Sequence, residues 1–134
     1  MQTISYPIPV GTTIGTPLPF SLATQVDNLI FISGQASVDE SGAIVSSTFE
    51  AEFHLSLENL KCVLEAAGSD LAHVVQVRSY IRDAANLPLY NQLYREYFQS
   101  PFPARTTLTG CLPESLHFEI ECIAVARPAD SSTS

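Results

Sequence analysis

The sequence predicts an α/β sandwich in which two helices cover one face of a single sheet. Three observations carry this expectation. Ser47 to Ala67 place Phe53, Leu57, Leu60, Leu64 and Ala67 at helical spacing, which makes one apolar stripe. Val74 to Ile81, "VVQVRSYI", alternates and is β-branched, as a strand should. The other apolar runs have strand length and are bounded by turn residues. With 134 residues, one domain spanning 1–134 is expected.

Residues 1–19 hold four Pro and two Gly and read as an extended N-terminal arm with at most a short edge strand. "FSLATQV" and "NLIFISGQ" read as two strands joined at Asp27-Asn28, a good hairpin pair. "VDESGAIV" carries a further turn at Ser41-Gly42 and reads as a third strand region. The first helix follows, with Ser47 and Glu50 fitting a capping box and Gly68 a C-terminal stop. After the Val74–Ile81 strand, Asn86 is positioned to cap a second helix, with Pro88 in its first turn. Leu89, Leu93 and Tyr97 line its inner side, with Tyr90 and Tyr94 on the flank. Two last strands run about Arg105 to Leu112 and Leu116 to Ala126, and residues 128–134 form a polar tail that should fray.

Composition narrows the function. The formal net charge is −8, so a phosphate backbone or an anionic membrane is repelled, and neither nucleic acid nor membrane is an expected partner. Only 15 % of residues are charged, against about 25 % in a typical domain. A chain with so little charged surface is expected to cover part of itself with other subunits. Cys62, Cys111 and Cys122 lack metal-ligand spacing, so free thiols in a cytoplasmic protein are expected, and no metal.

The last strand is the odd one. Alternation puts Leu116, Phe118, Ile120 and Cys122 on one face and His117, Glu119, Glu121, Ile123, Val125 and Arg127 on the other. A plain solvent face would not continue into Ile123 and Val125. Arg105, at the mouth of the preceding strand, cannot meet Glu119 in a simple hairpin, because that register leaves them about 13 Å apart along the strand. A different strand order or a second chain would be needed.

Four stretches, in order, resemble the Rid (YjgF) family of reactive intermediate deaminases: "PFSLATQVDNLIFISGQ", "SLENLKCVLEAAGSDLAHVVQVRSYIRD", "YNQLYREYF" and "FPARTTLTGCLPESLHFEIECIA". The resemblance implies a chorismate-mutase-like fold: one mixed sheet of about six strands, the last strand interior, assembled as a homotrimer with clefts between subunits. It implies hydrolysis of enamines and imines, such as 2-aminoacrylate, to 2-keto acids and ammonia, without metal or organic cofactor. By position it assigns carboxylate binding to Arg105 and water positioning to Glu119. Substrate contacts fall on Ser33, Gly34 and Gln35, on Asn91, and on Thr107 in place of a pocket Cys. Phe20 stands where the family has a cleft Tyr, and Leu22 where it has a Gln, so a more apolar pocket is expected. A trimer that binds small carboxylates without catalysis is the alternative, and it would use the same Arg105.

Overall fold

The computed structural model describes residues 3–8 and 18–128. Most of the predicted arm, and the predicted tail beyond Pro128, lie outside the described residues. Among the described residues five strands form one sheet: β1 (Ala23–Val26), β2 (Leu29–Ala36), β3 (Val74–Ile81), β4 (Ala104–Thr109) and β5 (Phe118–Val125). Their order is β1-β2-β5-β3-β4. The β3–β4 pair is parallel and the others antiparallel, so the sheet is mixed. Two helices, α1 (Phe49–Ala66) and α2 (Leu87–Tyr97), complete an α+β fold.

β5 therefore lies inside the sheet, between β2 and β3, as the resemblance implied. Among the described residues the strands number five, against the expected six or so. The "VDESGAIV" segment contributes only an isolated bridge, Val38 to Ile44, around a turn in which the Asp39 carboxylate accepts from Ser41 and Ala43 and Gly42 adopts φ +85°. Those local bonds take up the backbone that a sixth strand would need. In the arm, Ser5 forms one antiparallel bridge to Gln25 at the β1 edge. Asp27 turns the first hairpin at φ +54°.

α1 follows the predicted stripe, since Phe53, Leu57, Leu60 and Leu64 are fully buried. Its cap differs from the prediction by one residue. Thr48, not Ser47, accepts the Ala51 N–H, and Glu52, not Glu50, reaches back to the Ser47 N–H. α2 starts where predicted, but Asn86 makes no side-chain cap, because a 3₁₀ turn over Ala84–Asn86 leads directly into the helix. Its buried residues are Tyr90, Leu93 and Tyr94, so the two tyrosines placed on the flank point inward. Phe53, Phe118 and Tyr90 pack together, with the Phe53 and Phe118 centroids 4.8 Å apart.

The strand ends were also shorter than predicted. β4 stops at Thr109 because Gly110 turns away at φ +73°, and β5 begins only at Phe118. His117 thus escapes the strand alternation and does not share a face with Glu119. Its backbone N–H and its Nδ1 bond the two oxygens of Glu52 at 2.7 and 2.6 Å. Arg82 Nη2 lies 2.7 Å from His117 Nε2. A guanidinium can only donate, so Nε2 accepts and Nδ1 carries the proton given to Glu52.

Glu52 is 1 % exposed. Burial pushes its pKa up, but the bonds from the His117 N–H, the Ser47 N–H and the His117 ring outweigh it, and the result lies below the ordinary 4.5. Glu52→Ala leaves three donors at the α1 N-terminus without their acceptor and is expected to cost about 3 kcal/mol at pH 7. Because the folded-state pKa is lowered, this stabilisation is full above pH 4.5 and fades as pH falls through the folded value. Urea titrations at neutral and acid pH should therefore show the gap between wild type and variant closing on the acid side.

Candidate active site

The sheet register fixes which side chains share a face, because residues paired across strands point the same way. Val77, fully buried under the helices, pairs with Arg105 on one side and Cys122 on the other. Ser79 pairs with Thr107 and Ile120. Arg105 and Thr107 therefore point to the helix side. Tyr80 pairs with Glu119 and Leu108 on the opposite, open face. Within one chain the structure keeps Arg105 and Glu119 on opposite faces of the sheet, so the interior position of β5 does not unite them.

The first cluster sits where α2 overhangs the edge strand β4. Arg105 Nη2 donates to Asn91 Oδ1 at 2.9 Å, and the guanidinium carbon lies 4.9 Å from the ring centroids of both Tyr90 and Tyr94. Arg95 Nη1 donates to the Asn91 carbonyl at 2.9 Å. Asn91, Tyr94, Arg95, Phe102, Pro103 and Arg105 line a pocket of about 250 Å³. Among the described residues neither Arg105 nor Arg95 is ion-paired to a carboxylate, whereas Arg78 and Arg82 are. In a chain of net charge −8 that leaves a local positive pocket suited to a small anion.

The second cluster is on the open face, at the end where β2 departs from regular pairing between Ile32 and Gln35. Glu119 lies against Gly34 so closely that a Cβ at residue 34 would meet the Glu119 carboxylate at 3.2 Å. Ser33 Oγ donates to the Ser21 carbonyl at 2.6 Å and its N–H to that of Leu22, which ties the Phe20 loop to the same place. Phe20 itself is 47 % exposed and so is not core. Gln35 points the other way, is buried, and bonds the Ser33 carbonyl.

Glu119 accepts no hydrogen bond among the described residues. Burial, then the charge of Glu121, raises its pKa above 4.5. Glu121 is occupied, with Tyr80 Oη donating to it at 2.5 Å and Arg78 3.5 Å away. Beside these carboxylates the open face carries an apolar patch: Leu29 and Phe31, about two-fifths exposed, pair with Val125 and Ile123. Among the described residues no three His, Cys, Asp or Glu side chains cluster as metal ligands. Cys62, Cys111 and Cys122 are unpaired, and no described helix is long and apolar enough to cross a membrane.

A family model described as Endoribonuclease L-PSP matches residues 12–126. The chain belongs to this family, the Rid (YjgF) family. It is 38 % identical over 120 residues to a 2-iminobutanoate/2-iminopropanoate deaminase of Dermatophagoides farinae, covering 84 % of this chain and 94 % of that one. It is 36 % identical over 117 residues to the human protein of the same name, covering 86 % and 85 %. Among solved structures, RidA from an Antarctic Psychrobacter superposes with a TM-score of 0.78 at 28 % identity, over 89 % of this chain and 98 % of that one. Yeast Mmf1 superposes at 0.81 and 26 % identity, over 93 % and 100 %.

Of the residues assigned by position in this Rid-family chain, the fold thus gathers Arg105, Asn91 and Thr107 on one side and Glu119, Gly34 and Ser33 on the other, with Phe20 in the loop tied to Ser33 through Ser21 and Leu22. The sequence reading missed Tyr90, Tyr94 and Arg95. Their signal was present, because Tyr90 and Tyr94, and Asn91 and Arg95, are i,i+4 pairs on one helix.

Proposed function

We propose that this protein hydrolyses 2-imino acids and their enamine tautomers to 2-keto acids and ammonia, in clefts formed between the subunits of a cytoplasmic homotrimer. The observation that carries the reading is the Arg105 pocket: an unpaired, oriented guanidinium in an acidic chain, at the mouth of a cavity sized for a small carboxylate. The deaminases named among its relatives support the reaction class. The opposite-face placement of Glu119 supports a site shared between chains, and the uncovered Leu29, Phe31, Ile123 and Val125 supply a face for the neighbouring subunit. The unpaired thiols suit a reducing compartment.

In this reading Arg105 grips the substrate carboxylate through its planar fork and makes the imine carbon more electrophilic. Glu119 of the adjoining subunit takes a proton from water as the oxygen bonds to that carbon, and returns it to the nitrogen. Collapse of the resulting carbinolamine expels ammonia and leaves the 2-keto acid. No cofactor is needed, since the C=N bond is already reactive and positioning suffices. Asn91 orients Arg105, while Thr107, Ser33, Gly34 and Phe20 line the cleft. RNA cleavage, which the family description names, fits a net charge of −8 poorly.

The test is a coupled assay in which an amino acid oxidase generates the imine and its decay is followed with and without this protein. Acceleration supports deamination. Binding of the 2-keto acid with no acceleration would point to the non-catalytic alternative. Mixing inactive Arg105→Ala and Glu119→Gln proteins tests the shared cleft: random subunit exchange should restore about a quarter of the wild-type activity, and no recovery after exchange would place both groups in one chain's site.

Phe20 sets a further expectation. An apolar ring on the cleft wall favours bulkier apolar side chains by about 1–3 kcal/mol per well-buried group. Phe20→Tyr should shift the kcat/KM ratio from the Leu-derived imine toward 2-aminoacrylate. An unchanged ratio would remove Phe20 from the cleft.

A further inference from the structure

Tyr90 and Tyr94 stand one turn apart on α2, so their rings share a side of the helix. The ring centroids are 5.6 Å apart with planes inclined at 59°, which makes a corner and not a stack. The Arg105 guanidinium sits over that corner, 4.9 Å from each centroid. We propose that Tyr90 and Tyr94 are positioning residues that set the affinity for the substrate carboxylate, by holding the Arg105 guanidinium through its π faces and leaving its N–H edge without a carboxylate partner among the described residues. The proposal rests on the reading that Arg105 binds the substrate carboxylate.

An exposed arginine on an edge strand samples many rotamers, and whatever orders it on binding is charged against affinity. A carboxylate partner could order it, but would occupy the N–H fork that the substrate needs. Aromatic faces attract the cation without using its donors. Asn91 takes one Nη2 bond with a neutral oxygen, so it steers the fork without cancelling its charge.

The cradle is itself rigid. Tyr90 is fully buried, donates to Ser79 Oγ at 2.7 Å, and packs 6.1 and 5.8 Å from Phe53 and Phe118. Tyr94 stacks on Phe98 at 4.6 Å. The Tyr94 hydroxyl is buried without a hydrogen-bond partner among the described residues. Its ring therefore carries the contact to Arg105, and its hydroxyl can be removed without breaking a bond.

The experiment measures KM and kcat for 2-iminopropanoate, the Kd for its product pyruvate, and thermal melts. Tyr94→Leu should raise KM and Kd about fivefold with kcat within about twofold of wild type. Tyr94→Phe should keep both and melt no lower. Fluorinated phenylalanines at position 94 guard against a variant that fails to fold, since they drain the ring face at nearly constant shape: KM should climb with fluorine content. A folded Tyr94→Leu protein with wild-type KM and Kd, or a KM flat across the fluorinated series, overturns the positioning role. Arg105→Ala separates the two readings. If it keeps its activity, the carboxylate assignment itself fails. If it is inactive while the ring series is flat, only the role of the tyrosines fails.

Discussion

Arg105→Ala is expected to lower kcat/KM for 2-imino acids by about 10³-fold, which is roughly 4 kcal/mol of transition-state binding. Two things set this size. The substrate carboxylate loses a charged, two-pronged partner. The other cation lining the pocket, Arg95, is bonded to the Asn91 carbonyl on the helix rather than to Asn91 Oδ1, which orients Arg105. The fold should survive, since Arg105 is exposed and its strand is held by backbone pairing to β3. Arg105→Lys should recover at most about tenfold, a point charge being no fork. Circular dichroism with steady-state kinetics is the check. Wild-type deamination by folded Arg105→Ala would remove the pocket from the mechanism.

Glu119→Gln should lower kcat by about 10²–10⁴-fold with little change in KM, because the amide keeps the shape and loses the base. The pH profile separates this from a packing effect. Burial and Glu121 raise the Glu119 pKa, so the acid limb of the wild-type rate should lie above the ordinary 4.5, and the variant should lack it. Linkage gives the opposite sign for stability. A carboxylate whose folded-state pKa is raised favours the fold below its unfolded value, and that contribution is lost as pH rises through the folded value. Once pH has risen through that value Glu119, which accepts no hydrogen bond among the described residues, is a burden within the chain, and Glu119→Gln should then unfold at slightly higher denaturant while being nearly inactive. Gly34→Ala probes the same point without touching the carboxylate. Its Cβ, 3.2 Å from Glu119 Cδ and Oε1, must displace the acid by a few tenths of an ångström, and a loss of about tenfold in kcat with an unchanged melt is expected. Equal kcat values for wild type and Glu119→Gln across pH would refute the assignment.

The resemblance to the Rid family singled out Arg105 and Glu119, whereas the sequence by itself determined the two helices, the first hairpin and the β3 strand. Those features are local: an apolar stripe at 3.6-residue spacing, a β-branched alternation and an Asp-Asn turn each write their signal into a few neighbouring residues. The α1 N-cap moved by one residue, from Ser47 to Thr48, because Glu52, held by His117, takes the Ser47 N–H. His117 was assigned to the wrong face because alternation was extended past the first paired residue, Phe118. Alternation already set Phe118, Ile120 and Cys122 apart from Glu119, Glu121, Ile123 and Val125, and the resemblance put that strand inside the sheet, but only the tertiary structure decided the full strand order and which face Arg105 takes. Placing β5 between β2 and β3 is a long-range choice made by burying Phe118, Ile120, Cys122 and Ala124 under the helices, and no short stretch records it. The same choice turned Tyr90 and Tyr94 inward beneath Arg105 and sent Glu119 to the far side of the sheet. The separation of those two charges follows from the two-residue period of β3, whose Val77 and Tyr80 face opposite ways and carry their partners with them.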